Sequence, residues 1–133
     1  MPRPKILSTR PLFEAARRIL DATCDVDYWT NPERISREEL LRRVRDKEAL
    51  VCLLTERVND ELLAAAPKLR IAATVAVGFD NINRADANRH KIPFTNTADV
   101  LTEATAEFAF FIMGALARKL WNSEILVREN KWG

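Results

Sequence analysis

The sequence predicts an α/β fold in which a parallel sheet carries helices on both faces. Three observations predict it. Short apolar runs alternate with helical periodicity along residues 4–97. Ala49–Thr55 is a continuous apolar run, as a strand covered on both faces is, and Ile71–Val77 reads as another buried strand. The connections are short, which suits crossover helices better than hairpins.

Each element has its own signal. Pro4–Thr9 reads as a first strand centred on Ile6 and Leu7, and Leu12–Leu20 as a helix with Phe13, Ala16, Ile19 and Leu20 on one face. Asp25–Thr30 is a second strand. Ser36 and Glu39 have capping-box spacing and open a helix that runs to about Arg45. After the strand Ala49–Thr55, Asn59 caps a short helix through Ala66, which Pro67 ends. The strand Ile71–Val77 is closed by Gly78, Arg84–Arg89 is helical, and Pro93–Thr97 is a fifth strand. Five such units fit a flavodoxin-like order.

The tail is of another kind. Leu101–Leu120 reads as one long helix, started near Asp99 or Thr102 and apolar almost all the way round. Such a helix is expected to be buried on nearly every side, and one five-stranded sheet covers only one. Phe108, Phe110, Phe111, Ile112 and Met113 therefore call for a further cover: a second copy of the chain, a further domain, or both. The division expected is 1–98 for the sheet domain and 99–133 for a helical extension.

Composition narrows the function classes. The chain has 133 residues, 47% of them hydrophobic, and a net charge of +2, the balance of a globular domain. Arg17, Arg18, Arg42, Arg43 and Arg45 are interleaved with acids and read as solvated helix faces, not a nucleic-acid footprint. Cys24 and Cys52 each lie in an apparent strand, in no CxxC pair, and read as buried reduced thiols. With no leader pattern at the N-terminus the expected location is cytoplasmic. The run Ala104–Ala117, interrupted by Glu107, is too short for a membrane span.

Ligands of open α/β sheets bind beyond the carboxyl ends of the strands. Those ends are Thr9-Arg10-Pro11, Leu54-Thr55-Glu56 and Val77-Gly78-Phe79-Asp80. Gly78 is one of only three glycines, with Gly114 and Gly133. It is either a plain turn glycine or a place where a ligand approaches backbone amides, which hold carboxylates well. Dispersed glycines exclude both GxGxxG and the P-loop. The single histidine, His90, lies in a charged helix end and reads as a solvated surface group. No His, Cys and carboxylate spacing suggests a metal site. From its residues, the chain looks like a domain that binds something without a self-sufficient catalytic set.

From about Ala49 onward the sequence resembles the D-2-hydroxyacid dehydrogenases. The carrying segments are ALVCLLTERV (49–58), APKLRIAATVAVGFDNI (66–82) and IPFTNTADVLTEATAE (92–107), and within the family they are most similar to glyoxylate and hydroxypyruvate reductases. The resemblance implies a two-domain NAD(P)-dependent oxidoreductase that passes hydride to the carbonyl of a 2-oxo acid. It implies that the amides of Val77 and Gly78 hold the substrate carboxylate and that Leu54 walls the pocket. Val77 would lie beside the nicotinamide, and Thr105 would touch the cofactor. Asp80 and Asn81 would fix the loop, and Asn96 and Thr97 would mark the hinge. The long helix would begin the cofactor domain and reach a homodimer interface. The family's catalytic arginine, its acidic partner and its histidine have no counterpart among these residues, so NAD(P) is not expected to bind tightly and the chain alone is expected to be inactive. The competing expectations are a free-standing module for small 2-oxo or 2-hydroxy acids and an interaction protein that dimerises through 101–120.

Overall fold

The computed structural model describes residues 2–131, which form two compact units that divide between Ala98 and Asp99. The first holds five strands: β1 (Lys5–Ser8), β2 (Asp25–Tyr28), β3 (Ala49–Cys52), β4 (Ile71–Thr74) and β5 (Phe94–Thr95). All pair in parallel, in the order β2-β1-β3-β4-β5, the flavodoxin-like arrangement that the alternating pattern predicts.

Its helices are α1 (Glu14–Thr23), α2 (Arg37–Arg43), α3 (Asp60–Ala65) and α4 (Arg84–Arg89). The chain steps one way from β1 to β2 and the other way from β2 onward. Right-handed crossovers therefore place α1 on one face and α2, α3 and α4 on the other. The core lies under the second group. Leu7, Leu50, Ala72 and Phe94 stand in register across four strands and meet Leu40, Val44, Leu62, Leu63 and Ala87. Each leucine buried there contributes roughly 1.5–3 kcal/mol.

The caps explain where the helices start. Ser36 Oγ accepts from the Glu39 amide at 3.2 Å, half of the expected capping box; the Glu39 carboxylate turns instead to Arg42 and Arg43. Asn59 Oδ1 accepts from the Leu62 amide, and Asn83 Oδ1 accepts from Ala85 and Asp86. His90 caps α4 and sets Nε2 2.7 Å from Asp60 Oδ1, where Arg89 also bonds. It joins α3 to α4 rather than standing free in solvent.

Several elements differ from the sequence reading. The strands are shorter at their carboxyl ends: β3 stops at Cys52 and β4 at Thr74, because the chain there leaves the ladder to form turns. Cys24 is the C-cap of α1, not a strand residue. Phe13 and Ile19 are exposed, so α1 turns only Ala16 and Leu20 partly inward.

The second unit holds α5 (Thr102–Ala117) and α6 (Leu120–Arg128). The helix expected over 101–120 is α5, which ends at Ala117, and α6 follows it as a helix that the sequence reading did not include. Lys119 adopts a left-handed conformation, φ 51°, which interrupts the helical hydrogen-bond ladder. No residue of α5 is buried; Phe110, Phe111 and Leu116 are each more than 70% exposed. Among the described residues no helix is long and apolar enough to cross a membrane.

Candidate functional site

The reversal of direction after β1 makes a crevice at the carboxyl ends of β1 and β3. Two short segments build it, and the first follows β3. The turn Leu53–Glu56 closes with a bond from the Glu56 amide to the Leu53 carbonyl, 3.3 Å. The Glu56 side chain folds back under this turn and is almost fully buried. Its Oε2 accepts from the Leu53 amide and from Thr9 Oγ1, both at 2.8 Å, and its Oε1 accepts from Thr55 Oγ1. Leu54 is left pointing outward, 52% exposed.

The second segment follows β4. The Val75 amide donates to the Cys52 carbonyl at 2.8 Å, and the Thr97 amide donates to Ala76 at 2.9 Å. Asn96 Nδ2 donates to the Val77 carbonyl at 2.7 Å. The segment is thus held from both sides, while its own amides stay free. Among the described residues, the amides of Val77, Gly78, Phe79 and Asp80 donate to no protein acceptor. Four consecutive unpaired amides at a strand exit suit an anion.

Asn81 joins the two segments. Its Nδ2 donates to the carbonyls of Leu53 and Glu56, 3.0 Å each, and its own backbone bonds to Val58. Asn81 thus holds the loop, as the resemblance implies. A cleft of about 700 Å³ lined by Leu54, Arg57, Asp80, Asn81 and Asn83 opens next to the Val77–Gly78 amides, which are not among its lining residues. The buried Cys52 thiol lies beneath, pushed up to about 12 by burial and then by the Glu56 charge.

The structure brings Leu54 and Gly78 together: a Cβ built on Gly78 would lie 4.0 Å from Leu54 Cδ2 and 3.6 Å from Asp80 Oδ2. Val77 sits beside them, half-exposed. Gly78 is not in the left-handed conformation that would require a glycine, since no described glycine has positive φ. Thr105 lies in the first turn of α5, in the other unit, and is exposed. Glu56 and Asn96 escape a sequence reading as site residues. The one available signal is an acid set between the apolar run ending at Leu54 and the apolar Val58. No group of three or more His, Cys, Asp or Glu able to hold a metal occurs among the described residues.

Known proteins match this chain over nearly its whole length. A family model described as D-isomer specific 2-hydroxyacid dehydrogenase, catalytic domain, matches residues 6–124. The chain is 45% identical over 130 residues to the glyoxylate reductase of Thermococcus kodakarensis, covering 98% of this chain and 39% of that protein. It is 43% identical to the glyoxylate reductase of Aeropyrum pernix, covering 99% and 39%. The chain therefore spans about two fifths of the length of these relatives. Among solved structures, a Thermus thermophilus protein superposes with a TM-score of 0.84 at 28% identity, covering 97% of this chain and 42% of that one. An NADPH-dependent glyoxylate/hydroxypyruvate reductase of Sinorhizobium meliloti, solved with NADP and malonate, superposes at 0.73 with 25% identity, covering 98% and 40%.

Proposed function

The chain belongs to the D-isomer specific 2-hydroxyacid dehydrogenase family, and from that premise we propose that its sheet unit holds the carboxylate of a small 2-oxo or 2-hydroxy acid on the amides of Val77 and Gly78. The row of unpaired amides from Val77 to Asp80 carries this reading. Leu54 is the apolar wall of the pocket: it keeps water from one side of the ligand and limits its size. Asp80 Oδ2 lies 3.6 Å from where a Cβ on Gly78 would be and opposes an anion there, and Arg57, which lines the neighbouring cleft with Asp80, offsets part of that charge.

The dehydrogenase activity belongs to the family, and its NAD(P) cofactor supplies the hydride. The residues present do not fit that cofactor's phosphates. Gly78, Gly114 and Gly133 are dispersed, and no stretch clusters glycines for close approach to a pyrophosphate. Val77 and Thr105 are expected to add contacts to a cofactor held mainly by other residues. The unit 1–98 is the substrate-binding part, and 99–133 corresponds to the start of the cofactor-binding part.

The test has two readouts on the 133-residue protein. Titration with glyoxylate is expected to shift the ¹⁵N–¹H resonances of Val77 and Gly78 and to leave those of the β1 core unmoved. Mixing with NAD(P)H and glyoxylate is expected to oxidise no cofactor. Unmoved Val77 and Gly78 resonances at saturating glyoxylate would remove the carboxylate site, and turnover would remove the expectation of inactivity alone.

A second reading is favoured by α5. Its exposed Phe108, Phe110, Phe111, Met113 and Leu116 form an apolar surface of the kind that drives self-association. The chain is expected to be at least a dimer through this helix, and sedimentation of a monomer at micromolar concentration would count against it.

A further inference from the structure

We infer that Glu56 is a positioning residue for the carboxylate site, setting Leu54 against the Val77–Gly78 amides; this rests on the carboxylate reading above. The Glu56 carboxylate is buried, and among the described residues it forms no salt bridge. Glu56 is 4% exposed, and its partners are Thr9 Oγ1, Thr55 Oγ1 and the Leu53 amide. Burying an ionised carboxylate is costly, and hydrogen bonds to the charged form offset that cost. An apolar side chain here would avoid burying the charge but would strand the Leu53 amide and the buried Thr9 hydroxyl without an acceptor, so the acid is tied to the donors of this turn and not to a cation.

What the carboxylate adds is geometry. It has acceptor sites for three donors at once, and the donors lie on two different segments. The Leu53 amide and Thr55 hydroxyl bracket Leu54 on both sides, and Thr9 leaves the neighbouring strand β1. The turn that carries Leu54 is thereby tied to the exit of β1, across the topological switch. Asn81 Nδ2 then bonds the carbonyls of Leu53 and Glu56, the two ends of that same turn, from a position three residues after Gly78. Both walls of the site hang from one knot. Glu56 points away from the cleft and touches no ligand position, so its action on the site is through Leu54.

Solution NMR on the whole 133-residue chain tests this with three proteins: wild type, Glu56→Ala and Glu56→Gln. One readout needs no ligand, namely the nuclear Overhauser contact between the Leu54 methyls and the Gly78 Hα protons. The other is glyoxylate affinity from the Val77 and Gly78 amide shifts. Glu56→Ala is expected to lose the contact and weaken glyoxylate about tenfold, with the Leu7 and Leu50 amides unmoved. Glu56→Gln is expected to rescue both, because its oxygen replaces Oε2 and its NH₂ donates to the Thr55 hydroxyl, which reverses its role.

Retention of contact and affinity in Glu56→Ala overturns the inference. So does a Gln variant as impaired as the Ala variant, since that assigns the effect to charge. If Glu56→Ala does not fold, Thr9→Val removes one tether at nearly constant shape, and an unchanged contact there overturns it equally. Absence of glyoxylate binding in the wild type defeats the carboxylate reading alone, and the methyl contact still decides the role of Glu56.

Discussion

Leu54 Cδ2 stands 4.0 Å from where a Cβ on Gly78 would lie, so the two residues bound one narrow space from opposite segments. The backbone at Gly78 is not left-handed, and a methyl group fits at ordinary contact distance. Gly78→Ala is therefore expected to fold with unchanged stability or a gain of about 0.4–1 kcal/mol from reduced freedom of the unfolded chain. Gly78→Leu is expected to fill the space before Leu54 and abolish the glyoxylate-induced shifts at Val77. Thermal denaturation and the NMR titration check the two halves, and a marked loss of stability in the alanine variant would show that the glycine serves the backbone.

The central strand carries the second prediction. Leu50 is fully buried between Leu7 and Ala72. Leu50→Ala is expected to cost about 2–5 kcal/mol through lost burial and a residual cavity. Ile19, on the outer side of α1, is 71% exposed, and Ile19→Ala is expected to stay within about 0.5 kcal/mol. Urea denaturation of both variants separates them; equal losses would mean that α1 is covered in solution.

The two thiols are expected to differ in reactivity. Cys52 is buried and its thiol is pushed up to about 12, so no thiolate forms near pH 8. Cys24 is only partly buried. Iodoacetamide at pH 8 is expected to alkylate Cys24 first and Cys52 only after unfolding, as mass spectrometry of the native and urea-treated protein will report. The raised value also has a sign for stability. Below an ordinary thiol value of about 9 the contribution is complete. Between there and about 12 the unfolded chain ionises first, and stability falls as pH rises.

Glu39 gives the opposite case. Hydrogen bonds from Arg42 and then Arg43 hold its carboxyl down to about 2. A depressed folded value means that the contribution is present above the unfolded value of about 4.5 and is lost as pH falls toward about 2. Because the group is solvent-accessible the energetic effect is small, and the direct readout is the Glu39 side-chain ¹³C titration. Arg42→Ala combined with Arg43→Ala is expected to return it toward the ordinary carboxylate range; an unmoved titration would show that the two guanidiniums do not hold it.

Much of the first unit is legible in the chain itself. Asn59, Asn83 and Ser36 cap the helices because a side-chain acceptor must meet the first free amides, and that requirement is local. The apolar runs around Leu50 and Ala72 announce the two inner strands, although each buries one face more than the other: Leu50, Cys52, Ala72 and Thr74 are buried while Ile71 is exposed. The elements that the sequence misplaces are those whose ends depend on neighbours. β3 ends at Cys52 because the Leu53 amide turns to Glu56, and no periodicity in Leu-Leu-Thr-Glu encodes that partner. The break at Lys119 is likewise invisible in a run whose composition favours a helix on either side.

Periodicity and local capping thus determine the order of strands and helices, the parallel sheet and the position of the candidate site at the strand ends, because each depends on residues a few positions apart. The meeting of Thr9, Glu56 and Asn81 is another matter. They come from three strand exits separated by 47 and 25 residues, and only closure of the sheet brings a buried acid to its donors and Leu54 to Gly78. Which amides stay unpaired was also decided there, since a free N–H is defined by every acceptor that the fold has placed elsewhere.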